Sequence, residues 1–375
     1  MGFLRMGTTG FAAQAAGRGD GTALRQILVQ GLLLGLGLSL FLAAIALPFS
    51  RVALSVMQPS PELHDMTLAF FHNRLFGLPA SLASYALVGW FLGAQNARAP
   101  LAILLTTNLV NIALNLWFVL GLDWGVVGSA RASVIAEWSG ALLGLWLTRG
   151  ALRAYPGKMA WAALRVWQNW KPLLGVNRDI FIRSLLLQSV FFAITVQGAR
   201  LGDATVAANA LLLNGLLLTA HALDGLAHAV EALCGHAIGA RDRTALRRSM
   251  VVACGWSLLA SALFALLFLL GGHWFVEMQT DIASVRETAF QYLPYLAVLP
   301  LIAVWSYLLD GLFIGATRAR EMRNAMLLSV AIAFPVAWAL QGDGNHGLWI
   351  SFLLFMVLRS GILGLYATRI RWFTP

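Results

Sequence analysis

Long apolar stretches separated by short polar connections dominate the pattern along the chain. Ten stretches are long enough to form spanning helices, and they run over approximately 24–49, 64–95, 99–121, 125–148, 179–200, 204–238, 250–276, 288–316, 324–341 and 346–368. A spanning helix needs about 20 predominantly apolar residues, so the shorter piece at 2–17 is a helical fragment. The pattern therefore predicts an all-α polytopic membrane protein.

Composition supports this prediction. Hydrophobic residues make up 59% of the 375 residues, and charged residues make up 11%. Soluble domains have about 45–50% apolar and about 25% charged residues, so this chain has too few polar side chains to cover a water-soluble globule. The two cysteines, Cys234 and Cys254, have neither disulfide-framework nor metal-site spacing, and we interpret both as packing residues.

The charges fall in alternate connections. The net charge of +10 comes from 26 Lys and Arg against 16 Asp and Glu. Every second connection is basic, above all 149–183, whereas 277–287 is net negative. Basic connections face the cytoplasm, so we expect 277–287 to lie on the opposite side of the membrane. Because topology explains the positive charge, we do not expect a nucleic acid partner.

One basic connection is long enough to separate two halves of the chain. The segment 151–178 interleaves cations with Trp161, Trp167 and Trp170. Such a segment lies in the membrane interface, with its rings towards the lipid and its cations towards the headgroups. We predict an amphipathic interfacial linker at 151–178 between an N-terminal lobe, 1–150, and a C-terminal lobe, 179–375.

An internal repeat relates these two lobes. At an offset of 222 residues, 84–98 matches 306–320 with nine identities in fifteen positions, and 15–25 matches 237–247 with seven in eleven. Both copies place their basic connections on the same side, which predicts two lobes related by an axis along the membrane normal. Met1 corresponds to residue 223, so nothing matches 172–222. We expect a parent fold of two six-helix bundles whose first bundle is truncated here at its N-terminal end.

Ionisable side chains inside the spans are candidates for function, because each costs about 2.5–3.5 kcal/mol or more to insert. Asp310 lies inside an apolar helix, and its repeat partner is Val88. The fold does not require an acid at this position, since the first half builds the same helix without one. We therefore favour Asp310 as an ion-coupling or substrate residue over a structural one.

Four polar residues form a stripe on a single predicted helix. His221, Asp224, His228 and Glu231 are spaced 3, 4 and 3 apart, which places them within an arc of about 80°. Three interpretations stay open. The stripe lines a cavity that carries protons or binds a cationic substrate, it pairs with other helices, or it binds metal, for which one helix face seldom suffices.

Three further residues complete the candidate set for ion coupling or substrate binding. Glu137 either faces a solvated cavity or pairs with another helix. Asn111, in the stripe Asn108, Asn111 and Asn115, hydrogen-bonds either a substrate or a neighbouring helix, and the same alternatives apply to Asn209. We interpret Arg74 and His72 as interface anchors rather than ligands.

Several segments together resemble one transporter family. FLRMGTTGFAAQAAGRGD, GLPASLASYALVGWFLGAQNARAPL and NIALNLWFVLGLDWGVVGSARASVIAEWSG are similar to the first half of a MATE (multidrug and toxic compound extrusion) transporter. LDGLAHAVEALCGHAIGARD and LLDGLFIGATRAREMRNAM are similar to the second half, specifically of the DinF-type branch. The resemblance implies a twelve-helix antiporter that exports organic, often cationic compounds against an inward flow of protons or sodium.

The resulting prediction is a secondary active antiporter for small organic molecules. We expect a multi-pass monomer in the lipid bilayer of the bacterial inner membrane, whose only cofactor is the coupling proton or sodium ion. A lipid-linked-precursor flippase of related fold is the nearest alternative, but it would present a more cationic cavity, whereas the acids Asp224, Glu231 and Asp310 predominate. An intramembrane enzyme is disfavoured, because its only support is the His and acid stripe on 221–231 and the sequence has neither an HExxH motif nor a nucleophile constellation. The sequence also has no GxxxxGK[ST] loop, which disfavours transport driven directly by ATP.

Overall fold

The structure is a computed structural model that describes residues 2–370 and 372. Every regular element within those residues is helical. Contacts between the helices divide the chain into two compact units, Met1–Leu173 (unit 1) and Leu174–Pro375 (unit 2).

Unit 1 contains the first seven helices. They are α1 (Gly2–Gly17), α2 (Gly21–Met57), α3 (Pro61–Leu75), α4 (Leu78–Gly93), α5 (Arg98–Asn115), α6 (Gly125–Arg153) and the single turn α7 (Trp161–Leu164). A π-helical turn, Leu116–Gly121, continues α5. The buried core of this unit includes Leu24, Leu87, Trp90, Phe91 and Ile103.

Unit 2 contains the longer helices. They are α8 (Lys171–Arg200), which begins at the end of unit 1, α9 (Asp203–Gly239), α10 (Arg243–Glu277), α11 (Ala283–Gly315), α12 (Ala319–Ala339) and α13 (Gly344–Arg369). Helix α11 is the most enclosed of the candidate spans among the described residues, with 67% of its apolar window buried. It therefore forms the centre of this unit.

Each of the ten apolar stretches predicted from the sequence corresponds to one long helix or to the pair α3 and α4. By length and apolarity alone, seven stretches of the described residues could cross a membrane, or eight if the bent pair counts as one. This count is lower because Ala319–Arg369 combines α12 with α13, and because Arg131, Glu137 and Arg149 lower the mean hydropathy of α6. The predicted all-α, multi-pass architecture is confirmed.

The sequence repeat reappears as a repeated close crossing of two helices. In unit 1, a Cβ on Gly89 or Gly93 of α4 would lie 2.3 or 2.6 Å from a backbone oxygen of α1, at Arg5 or Thr9. In unit 2, a Cβ on Gly311 or Gly315 of α11 would lie 2.6 or 2.5 Å from a backbone oxygen of α9, at Ala227 or Glu231. Corresponding residues are 222 positions apart throughout, so the same small residues let the same two backbones approach.

The turns beside this crossing repeat as well. Asp20 and Asp242 cap the following helices, and each side chain accepts a hydrogen bond of 2.9 Å from the backbone nitrogen of Ala23 or Ala245. Gln95 and Thr317, which follow the second helix of the crossing, have φ of +58° and +56°. Because backbone geometry agrees residue by residue at an offset of 222, the repeat is structural as well as sequential.

The two units differ where α3 meets α4. These helices are bent by 44° at a short break containing Gly77, whereas α11 runs without interruption through Pro294 and Pro300. A Cβ on Gly77 would lie 2.0 Å from Oε2 of Glu137. The glycine therefore admits a carboxylate from α6 at the bend, and the corresponding residue of α11 is Leu299.

The linker is shorter in the structure than the predicted 151–178. Helix α6 continues to Arg153 and α8 begins at Lys171, so polar residues that interrupt the apolar pattern still lie on helices. Trp161 and Trp167 are exposed, while the indole nitrogen of Trp170 donates to the carbonyl oxygen of Leu164 at 2.8 Å. The interfacial position of this segment and the three-part division of the chain stay predictions.

Candidate functional site

A buried ionic cluster joins three helices of unit 2 at one carboxylate. Oδ2 of Asp310, on α11, accepts hydrogen bonds from Nη2 of Arg183 on α8 and from Nη2 of Arg359 on α13. All three residues are buried: Asp310 is 6% exposed, Arg183 is 5% exposed and Arg359 is 3% exposed. We call Arg183, Asp310 and Arg359 the triad.

Two further side chains surround the triad. The guanidinium of Arg359 lies 5.9 Å from the ring centroid of Tyr307. Asp224, on α9, is close enough to interact electrostatically with both Arg183 and Tyr307. The cluster therefore contains two cations and two carboxylates, contributed by four helices.

The charges of the triad can be buried because they are paired with one another. Removing an isolated ion from water costs several kcal/mol, and a partner with good hydrogen bonds is needed to offset that cost. One oxygen of Asp310 serves both arginines, while its Oδ1 and Nε of Arg359 make no hydrogen bond with described residues. The triad alone has a net charge of +1, and the neighbouring carboxylate of Asp224 compensates it.

A second acid holds the beginning of α8. Oδ1 of Asp179 accepts from Arg178 at 3.0 Å and from Arg323 of α12 at 2.8 Å. The pair with Arg323 joins this part of α8 to α12.

The predicted stripe on α9 runs from an exposed residue at one end to a buried residue at the other. His221 is exposed, and its Nδ1 lies 2.7 Å from the carbonyl oxygen of Leu217. Asp224 and His228 are half-buried, and Glu231 is 1% exposed. Within residues 2–370 and 372, no three His, Cys, Asp or Glu side chains are grouped as a metal site requires.

In unit 1, Glu137 binds the bend between α3 and α4. Its Oε1 accepts from Nη2 of Arg74 at 2.7 Å. Neighbouring residues of α6 add two contacts, from Arg131 to Asn73 at 3.3 Å and from Trp138 to the carbonyl oxygen of Phe76 at 3.0 Å. The interpretation of Arg74 as an interface anchor was therefore incomplete, because its guanidinium is engaged by Glu137.

The two asparagine candidates lie in contacts between helices. Asn111 of α5 donates to the hydroxyl of Ser133 on α6 at 3.1 Å. Asn209 of α9 forms a reciprocal amide pair with Asn345 of α13, at 2.8 and 3.0 Å, and also accepts from the indole of Trp349 at 2.9 Å. Both geometries are those of polar groups that stabilise helix packing.

Comparison with known proteins gives the family. The sequence pattern of the MatE family matches residues 1–117 and 180–339. DNA damage-inducible protein F of Escherichia coli is 44% identical over 360 residues, which cover 96% of this chain and 78% of that protein. A probable multidrug resistance protein, NorM of Bradyrhizobium diazoefficiens, is 26% identical over 377 residues, covering 94% and 78% of the two chains. This chain belongs to the MatE family.

Solved structures agree with the MatE assignment at the level of fold. A crystal structure described as MATE in the bent conformation superposes with a TM-score of 0.87 over 98% of this chain and 83% of that one, at 17% identity. An outward-facing multidrug resistance MATE transporter gives a TM-score of 0.85 over the same shares, also at 17% identity. The resemblance found in the sequence is confirmed, and the chain is a multi-pass inner-membrane transporter of the MatE family.

Two residues of the triad were missed by the sequence analysis of this MatE protein. Arg183 was counted among the cations of the long basic connection, and Arg359 was passed over inside the apolar stretch 346–368. Counting charges within spans would have found Arg359, since a cation at bilayer depth is rare without a partner. No signal in the sequence identifies Asp310 as that partner.

The triad also corrects one argument against the flippase alternative. From the sequence, acids predominate among the charges expected inside the spans. The structure places two arginines on Asp310, so with Asp224 the cluster contains as many cations as acids.

Proposed function

We propose that this MatE protein is a secondary active antiporter that exports small organic molecules, many of them cationic, in exchange for protons or sodium ions. The family membership and the name of the NorM relative support multidrug export. The buried carboxylate of Asp310, shared by two arginines, is the observation on which the coupling step depends.

An ion that enters at Asp310 has to compete with Arg183 and Arg359. A proton or sodium ion on this carboxylate weakens its attraction for both guanidinium groups. Asp224 then offers the alternative acceptor for Arg183, because the two already interact. The exchange alters which helices are joined: α8 is released from α11 and held by α9.

This exchange satisfies the requirement for coupling. A ligand shifts a two-state protein only by binding one state better than the other, and the coupling between ion and substrate is reciprocal. Two buried helix connections that depend on one carboxylate form such a two-state element. Glu231 and His228, further along α9, supply the next titratable groups towards the end of that helix.

The remaining properties follow from the same proposal. The protein needs no cofactor except the coupling ion, works as a monomer, does not bind nucleic acid and catalyses no covalent step. Light scattering of the detergent-solubilised protein tests the oligomeric state.

Transport is tested in proteoliposomes that contain the purified chain. Uptake of ethidium, a fluorescent organic cation, is measured with an imposed proton gradient, with a sodium gradient and with ATP. One ion gradient should drive accumulation and ATP should not. The control is Asp123→Asn, which changes an exposed acid in the turn before α6 and should transport normally. Ethidium movement that no gradient drives would contradict the proposal.

A lipid flippase is the second candidate, and the two buried arginines favour it because guanidinium groups bind phosphate well. The same vesicles distinguish the candidates. Scrambling of a fluorescent lipid pyrophosphate, without ion-driven ethidium uptake, would replace the antiporter assignment.

A further inference from the structure

A cavity of about 460 Å³ lies in unit 2 between α8, α12 and α13. Its floor consists of buried side chains, namely Val190, Ile194, Ala333, Ser351, Phe352 and Phe355. Its mouth is more exposed and polar, with Gln197, Arg200, Trp338 and Gln341. No candidate residue from the sequence analysis lines this cavity.

The floor presents aromatic rings that are held in place by their neighbours. The ring of Phe352 packs against Phe355 at 6.4 Å, against Phe191 at 5.9 Å and against Trp349 at 6.2 Å, measured between centroids. Planar aromatic ligands gain from stacked or edge-to-face contacts with such rings. The floor therefore fits a flat apolar group without prior rearrangement.

The mouth is cationic. Arg200 is the charged residue among those that line the cavity, and no acid lines it. Asp203, the first residue of α9, and Asp343, in the turn before α13, do not belong to the lining. Arg200 makes no ion pair within the part of the chain that the structure describes. Gln197 and Gln341 add amide donors beside it. Guanidinium and amide donors together suit a carboxylate.

We propose that this cavity binds planar aromatic molecules that carry a carboxylate. The ring system lies on Phe352 and Phe355, and the carboxylate is bound by Arg200. This inference adds aromatic carboxylates to the organic cations of the proposed exporter, as a class bound at this separate cavity, and rests on that function only for the transport of the bound molecule. An aromatic cation of equal size would lose the contact and meet a like charge at the mouth.

The position of the cavity connects its occupant to the triad. Phe355 lies one turn before Arg359 on α13, and Val190 lies two turns after Arg183 on α8. Both arginines are fixed on Asp310. The separation of the two cavity walls therefore depends on the same carboxylate that we assign to the coupling ion.

Binding is measured by calorimetry on the detergent-solubilised full chain. The probes are naphthalene-2-carboxylate and its matched cation, 2-naphthylmethylammonium. The carboxylate should bind, and the cation should bind at least tenfold more weakly. Arg200→Gln should weaken carboxylate binding about tenfold, whereas Arg200→Lys should retain most of it. Ala337→Trp, at the cavity wall, should block it.

Matched controls separate the site from general effects. Arg247→Gln removes an exposed arginine of α10 and should leave binding unchanged, and every variant must keep the parent melting temperature. Equal affinity for the two probes would overturn the inference, as would indifference to both Arg200→Gln and Ala337→Trp.

Two further measurements distinguish a lipid headgroup from a free carboxylate as the occupant, and binding from transport. In nanodiscs, binding of the carboxylate that persists with phosphatidylcholine but disappears with phosphatidylglycerol would assign the cavity to lipid headgroups and overturn the inference. Carboxylate binding without ion-driven transport of any probe would support the site and contradict the proposed function. Ion-driven ethidium transport without carboxylate binding would support the proposed function and overturn the inferred site.

Discussion

Val88 of unit 1 and Asp310 of unit 2 stand at the same place in the repeat, each directly before a glycine that lets two helix backbones touch. In unit 1 the residue is a half-buried aliphatic side chain packed against the core. In unit 2 it is a buried carboxylate that holds Arg183 and Arg359. One helix crossing is thus built twice, once without charge and once around a triad, so the triad is not a requirement of the fold.

The other buried charges at this crossing also differ between the units. Arg5, on α1, is 7% exposed, and its counterpart on α9 is Ala227. Glu231 on α9 is 1% exposed, and its counterpart on α1 is Thr9, whose hydroxyl donates to the backbone of Arg5 at 2.9 Å. The shared backbone therefore carries a cation in one unit and an acid in the other. The shared helix crossing therefore does not require either charge.

Unit 1 has its main ion pair elsewhere. Arg74 and Glu137 are partly exposed, with side-chain exposures of 33% and 18%, whereas the triad side chains are below one tenth. Exposed pairs contribute little to stability. The Arg74–Glu137 pair therefore fixes the bend of α3 and α4 at modest energy, whereas removing one member of the buried triad would leave uncompensated charge, which is costly.

The largest expected effect comes from copying unit 1 into unit 2. Asp310→Val should lower the free energy of unfolding by about 3–5 kcal/mol, because it leaves two buried guanidinium groups without their acceptor. Thermal unfolding in detergent measures the loss. The control at the corresponding position of unit 1, Val88→Ala, should lower the free energy of unfolding much less. An Asp310→Val protein as stable as the parent would show that the triad contributes nothing to the fold.

A triple variant tests whether the loss in Asp310→Val comes from the unpaired arginines. Arg183→Met combined with Asp310→Val and Arg359→Met replaces the triad by apolar side chains. Replacing a buried ionic group as a whole is often neutral or stabilising, so this triple variant should recover at least about half of the loss caused by Asp310→Val. A further loss of stability would instead mean that the arginines have other essential partners.

The shared crossing gives a smaller and symmetric effect. Gly89→Ala and Gly311→Ala should each cost about 1–3 kcal/mol, because the added methyl group overlaps a backbone carbonyl that cannot rotate away. Gly271→Ala is the control, since its Cβ would meet nothing within 4 Å. A loss of stability at only one of the two crossing glycines would contradict the structural equivalence of the two crossings.

The smallest effects concern the repeated caps. Asp20→Ala and Asp242→Ala each remove a side-chain acceptor at a helix N-terminus, which costs about 0.5–2 kcal/mol. Their costs should agree within about 0.5 kcal/mol, because both bonds are 2.9 Å long and exposed. Denaturation of the two variants under identical detergent conditions checks this agreement.

The sequence predicted the helices and the repeat because both are periodic features of a single segment. The pattern of Gly89 and Gly93 recurs at Gly311 and Gly315, and the apolar stretches are long enough to be unambiguous. Partners across helices are not periodic, since a helix face does not specify which helix it meets. That is why the pairing of Asp310 with Arg183 and Arg359 could not be predicted, and why Asn209 could not be assigned to Asn345.

The coupling role of the triad is tested most directly by ion-driven ethidium transport in the triple variant Arg183→Met, Asp310→Val and Arg359→Met. The variant is reconstituted at equal density beside the parent protein, and uptake is recorded under the ion gradient that drives the parent. Because the triple variant keeps the fold but lacks the carboxylate at which the ion competes with the arginines, we expect its uptake to fall to the level of empty vesicles. Gradient-driven uptake at the parent rate would show that the triad is structural and that coupling occurs elsewhere.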